Sequence, residues 1–226
     1  MKSMPDMNEF AKKCHIASEA KGWTNLKRTD AQTINLMVSE LSEAIEDFRD
    51  RHADNEIYYE VKIKVGDNVE VKKVTDLTVL ANLKLLDGKF GRGDVYLGSK
   101  PCGIPIELAD CIIRIGQHCG THKYELAGAM GNSQWATMKH RTDINEAIAD
   151  ASLHLSMAWM YSPQSGLVTG EGAKVVGPEM MAMHLAGALW SILYFCEGAR
   201  IDIWDAVDMK MSYNDTRPML HGGKAI

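Results

Sequence analysis

The sequence predicts an all-α protein: a helical bundle carrying a small β-hairpin insertion. Three observations carry that prediction. Apolar residues recur at helical spacing, as in Ile34, Met37, Val38, Leu41, Ile45 and Phe48. One segment, 54–104, changes character, because YYEVKIKV and VEVKKV alternate at period two about a Gly-Asp-Asn turn. Fourteen methionines against four phenylalanines fit helix-on-helix packing better than a β-sandwich.

Taken in order, residues 8–22 read as a short amphipathic helix ending at Gly22. Residues 30–50 read as a longer one with Asp30 placed to cap it, its acids Glu40, Glu43 and Asp47 on a face apart from the apolar stripe. The 54–104 insertion continues past the hairpin into a partly mobile stretch with glycines at 88, 91, 93, 98 and 103. A third helix opens near Pro105, a residue tolerated in a first turn, and runs through IELADCIIRIGQHC. Further helices are expected at about 124–140, 143–160, 178–198 and 202–214, and the tail TRPMLHGGKAI is expected to be irregular.

The chain also carries an internal correspondence. A shift of 77 sets Glu107 on His184, Leu108 on Leu185, Ala109 on Ala186, Ile115 on Ile192 and Cys119 on Cys196. A shift of 110 sets Ile34-Asn35 on Ile144-Asn145 and Glu40 on Asp150. The acids are mostly lost from the second copy, where Glu43 meets Leu153 and Asp110 meets Gly187. The expectation is a fused pseudo-dimer packed as one unit: a working module over 1–140 and a degenerate one over 141–226.

A net charge of −5 argues against a nucleic acid polymer as the main partner, but not against a nucleotide bound through a cation. No apolar run approaches the roughly 20 residues that span a bilayer, so no membrane is expected. The start MKSMPDMNEFAKKC lacks a signal peptide's apolar core. Five scattered cysteines without a C-x-x-C pair fit a reducing compartment, which makes a cytoplasmic protein the expectation.

The chemistry is expected to lie in paired carboxylates. Glu40 and Glu43 are three residues apart on one helix, and Glu107 and Asp110 repeat that spacing on another. In IELADCIIRI the only charges are Glu107, Asp110 and Arg114, and the rest is apolar almost all round. Such a helix should be buried, and buried acids are costly unless paired or bound to metal. Arg114 is expected to pair with one of them and not to satisfy both. Four carboxylates would form a hard oxygen cage suited to Mg²⁺, with Mn²⁺ as the alternative. Zinc at His118, Cys119 and His122 is not expected, since Gly120 interrupts that stretch and no further ligand pair stands nearby. His184 reads as a satisfied core histidine. The glycine-rich GEGAK and GKFGRGD lack the complete phosphate-loop pattern.

SELSEAIEDFRD followed by GIPIELADCIIRI resembles the E-x-x-E … E-x-x-D signature of MazG-type and dimeric dUTPase-type pyrophosphatases. The tail KMSYNDTRPMLHGGK resembles the C-terminal stretch of phage and bacterial MazG-like proteins. The sequence departs from simple MazG domains in the long gap between its acidic pairs and in placing the tail after the acid-poor copy.

The resemblance implies a MazG-type helical bundle in a bacterial or phage-infected cytosol, hydrolysing nucleoside triphosphates to a monophosphate and pyrophosphate. It implies metal ligation by Glu40, Glu43, Glu107 and Asp110, with Glu43, and Glu40 beside it, acting on water. Lys210, Asn214 and Arg217 are the candidate phosphate donors, and Trp23 and Lys27 candidate contacts to base or phosphate. The narrower alternatives are a dUTP or dCTP pyrophosphatase and a non-catalytic nucleotide-binding protein of the same fold. Pairing of two such chains into a homodimer of pseudo-dimers is left open.

Overall fold

The computed structural model describes residues 2–65, 67–78, 89–90, 94–168 and 171–219. Their order is α1 (Met7–Ala20), α2 (Asp30–Arg49), β1 (Tyr58–Val65), β2 (Asn68–Val74), β3 (Lys89–Phe90), β4 (Asp94–Cys102), α3 (Ile104–His122), α4 (Leu126–Met130), α5 (Ile144–Tyr161), α6 (Glu171–Gly198) and α7 (Ile203–Thr216). Short 3-10 turns stand at Trp23–Asn25 and Ser133–Thr137. The fold is thus mostly helical with one small sheet, as the sequence patterns predict.

Helix α3 is the centre of the bundle. It packs against α1, α2, α6 and α7, while α5 pairs with α6 and also touches α2. One continuous apolar core runs from Met7 and Phe10 through Ile112 and Ile115 to Leu189, Phe195 and Val207. At Gly120, a Cβ would lie 2.3 Å from the Ala11 carbonyl oxygen, so the residue that looked like an interruption is where α1 crosses close to an unbroken α3. All five cysteines are buried and unpaired. Among the described residues one stretch, Val176–Gly198, is long and apolar enough to cross a membrane, contrary to expectation; 61% of its most apolar window is buried inside the fold.

The insertion builds more than a hairpin. The sheet has the order β2-β1-β4-β3, every neighbour antiparallel. β1 and β2 form the expected hairpin, with Tyr59 opposite Val74 and Val65 opposite Asn68. β4 then returns along the other edge of β1, Tyr58 opposite Cys102, and feeds directly into α3. Residues 79–88 and 91–93, which hold three of the five glycines, lie outside the described set.

The junction between β4 and α3 is Gly103, at φ 113° and ψ 159°. Only glycine adopts that region readily, and a Cβ there would meet the Glu56 carbonyl oxygen at 2.3 Å. Gly103→Ala is therefore expected to cost about 2–3 kcal/mol, a fall in Tm of roughly 4–12 °C. A thermal melt unchanged within 1 °C would show that the junction relaxes freely.

Three local readings are corrected. Thr29, not Asp30, caps α2, through a capping box with Gln32, and Asp30 turns inward instead. Phe48 falls off the buried stripe at the end of α2, whereas Glu40 and Asp47 join it. The segment 124–140 is not one helix: α4 stops at Gly131 and a 3-10 turn follows, in which Trp135 donates its Nε1–H to the Ala129 carbonyl.

The 77-residue correspondence extends to backbone geometry. Lys123 and Arg200, 77 apart, are both in the left-handed region, at φ 57° and 56°. The amide after each closes on the carbonyl five residues back, Tyr124 on Cys119 and Ile201 on Cys196. Glu125 and Asp202 then cap α4 and α7 in turn.

Candidate metal centre

Antiparallel packing of α2 on α3 brings Glu40 beside the first turns of α3, where Glu107 and Asp110 project. Carboxylate oxygens of Glu40, Glu107 and Asp110 lie within 4.8 Å of one another. Glu40 and Glu107 are 4% and 3% exposed. Three of the four predicted ligands thus meet at one locus.

Glu43 does not join them. Three residues along a helix turn about 300°, which leaves its side chain about 60° round from Glu40. It is exposed and lines an open groove of about 510 Å³, together with Glu46, Asp47, Glu60, Lys100 and Glu107. Its charge still reaches the cluster, raising the pKa of Glu40 and Glu107. The predicted cage is corrected to three converging acids with a fourth at the groove wall. Asp47, deeper in the groove, accepts a 2.8 Å hydrogen bond from the Tyr58 hydroxyl, which ties β1 to α2.

The cluster also contains cations. Arg114 donates from Nε at 2.8 Å and Nη2 at 2.7 Å to one oxygen of Glu40, and stands 4.0 Å from Asp110. Lys210, 3% exposed, lies 3.4 Å from Glu107 and 3.2 Å from Asp110. Lys100 approaches the other Glu107 oxygen at 3.7 Å. Arg114 thus reaches only one of the two α3 acids, as expected, and α7 and β4 supply the remaining charges through Lys210 and Lys100.

The electrostatics show how far this pairing goes. Burial, and then the neighbouring Asp110, push the Glu40 carboxyl up to about 7 despite Arg114. Burial likewise raises Glu107 against the pull of Lys210 and Lys100. Burial also acts to raise Asp110, but Lys210 and Arg114 outweigh it and hold that acid below its ordinary value; a hydrogen bond from Glu40 adds to this. Burial would lower Lys210, yet Asp110, Glu107 and Glu40 together hold its ammonium well above the usual range. Burial and like charge thus favour the protonated form of Glu40, while the cations beside Asp110 favour its ionised form.

Of the other predicted contacts, Asn214 is half-buried and its Oδ1 has no hydrogen-bond partner. Arg217 stacks on Tyr213 at 5.7 Å, and its carbonyl accepts from Lys21. Lys27 is exposed, and its neighbour Arg28 takes the inward position. The Arg28 guanidinium lies 4.8 Å above the Trp23 ring, close enough to Arg114 to feel its charge, and its buried Nε and Nη2 have no hydrogen-bond partner. Sequence reasoning missed Arg28 and Lys100, and no local pattern separates them from ordinary surface cations.

At the corresponding positions of the repeat, Asp150 is held by Arg141 at 2.6 Å, and the His154 ring lies against Gly187, the counterpart of Asp110. His184 Nδ1 faces His154 Nδ1 at 3.4 Å and its Nε2 is left without a partner, so the expected satisfied core histidine is only half satisfied. Comparisons of the chain with protein-family models, curated proteins and solved structures return no match.

Proposed function

We propose that this chain is a divalent-cation-dependent nucleoside triphosphate pyrophosphohydrolase, with a bound cation held by Glu40, Glu107 and Asp110. The observation that carries this reading is the meeting of three carboxylates, Glu40 and Glu107 buried and Asp110 half-buried, one of which, Glu107, also lines an open groove. Such a donor set fits a hard cation: all ligand atoms are oxygens and their spacing admits one ion after small shifts. The elevated Glu40 carboxyl is a further sign, because its proton occupies a place that a cation would take. Mg²⁺ is the expected ion and Mn²⁺ the substitute.

When bound, the cation supplies charge neutralisation along a phosphate chain and makes water a better nucleophile. The protein's own groups do the rest. Glu43, solvated at the groove wall, orients and deprotonates the attacking water. Lys100, Arg28 and Asn214 bind and position the phosphates, and Lys210 sets the charge of the acid cluster. Arg217, at the end of α7, and Trp23, in the first 3-10 turn, are the outer candidates for contact with the nucleotide. Acids outnumber lysines along the groove wall, so a bare triphosphate is repelled and enters with its cation. The second half, by this reading, supports the first as a built-in partner, inside the cytoplasm.

The test is a panel of canonical and modified deoxynucleoside triphosphates with purified protein and Mg²⁺. Release of pyrophosphate and monophosphate, abolished by chelator, is expected; release of orthophosphate, or no turnover at all, would sink the proposal. A second reading is favoured by one observation, the Lys210 ammonium lying among the acids. In it the cluster is a self-neutralised ion network, binding nucleotide without turnover or serving structure alone. That reading predicts no Mg²⁺ affinity by calorimetry.

A further inference from the structure

A second group of ligating side chains stands at the far end of the α2–α3 pair. Asp30 at the start of α2 meets His118 and His122 in the last turns of α3, with one ligand atom from each within 4.8 Å of the others. His122 Nε2 lies 3.6 Å from Asp30 Oδ1. Because α3 is continuous through Gly120, the two histidines share one helix face, four residues apart. The third donor comes from almost ninety positions upstream, where no local pattern could announce it.

Three features distinguish this group from an ordinary histidine–carboxylate contact. His118 is 4% exposed, yet its Nε2 has no hydrogen-bond partner, an expense a folded protein rarely leaves unanswered. The other Asp30 oxygen accepts a hydrogen bond from the buried Ser162 hydroxyl, which fixes the carboxylate's orientation. Tyr124 stacks on His122 at 5.3 Å and closes one wall, while the half-exposed His122 leaves the other side open to water.

We propose that Asp30, His118 and His122 form a separate site for a borderline divalent transition metal of the Zn²⁺ class, with a solvent molecule as fourth ligand. Two imidazoles and one carboxylate suit such an ion and suit Mg²⁺ poorly. The ion fastens α2 to α3 about 15 Å from the acid cluster, counted as ten residues of helix from Asp30 to Glu40. Cys119 takes no part: it is fully buried and its thiol is pushed far up, facing Cys14.

The test uses the full chain, stripped with chelator and held in excess Mg²⁺ to block the carboxylate cluster. Co²⁺ is titrated as a spectroscopic stand-in for Zn²⁺. One equivalent with the visible bands of tetrahedral Co²⁺ is expected, lost in His122→Ala and in Asp30→Asn. Ser162→Ala should weaken binding about 10- to 100-fold by freeing the carboxylate. His122 is partly exposed, so His122→Ala keeps the fold, and a thermal melt checks it. Absence of the bands, or bands that survive His122→Ala, would overturn the proposal.

Discussion

Replacing Lys210 with methionine is expected to lower stability by about 3–5 kcal/mol, because removing one member of a buried ionic group leaves the others uncompensated. For a chain of this length that is a fall in Tm of roughly 6–20 °C. The ammonium lies within 3.4 Å of both Glu107 and Asp110 and is almost wholly buried, so no water replaces it. The loss should depend on pH in a definite direction. Glu40 already has a folded-state pKa of about 7, above the 4.5 of an unperturbed glutamate. The folded state therefore holds an extra proton between those values, and stability falls as pH rises through that window. Without Lys210 the three acids rise further, so the variant should recover on acidification more than the parent does. Mg²⁺ should also raise the variant's Tm more than the parent's, since the cation then meets bare carboxylates. A variant within 1 kcal/mol of the parent at pH 8, indifferent to Mg²⁺, would show that the Lys210 contacts carry no weight.

Glu43→Gln should do the opposite: abolish chemistry and spare the fold. As a general base on the groove wall, Glu43 is expected to contribute about 10²–10⁴-fold to kcat. Its side chain is exposed, so stability should change by less than about 0.5 kcal/mol. KM and Mg²⁺ affinity should move little, because Glu43 stands outside the three-acid cluster. A loss under tenfold would take Glu43 out of the role and pass it to Glu46 or Glu60 in the same groove.

Most of the helical framework was legible, because each helix writes its period into its own residues. α2 and α3 lie within three residues of where stripes, glycine and proline place them. Glu107 and Asp110 were legible for the same reason, as charges in an otherwise apolar helix. What could not be read depended on distant partners. Asp30 looks like a cap until Thr29 is seen to fill that role. Gly120 looks like a break until α1 is seen crossing it. Lys210 looks like a solvated helix end, and only tertiary packing shows it as the counterion of residues a hundred positions away. The helix over 124–140 failed for a local reason: Gly131 and Asn132 favour turns, and the apolar pattern around them survives in a 3-10 bend.

The 103-residue separation between Glu107 and Lys210 has a consequence for how the protein is made. At roughly 5–20 residues per second, the ribosome delivers the lysine about 5–20 s after the acids it neutralises. Throughout that interval the nascent α2–α3 pair carries three carboxyls that cannot be sealed from water at full charge. The acid cluster must stay wet, or protonated, until the last helix arrives to close it.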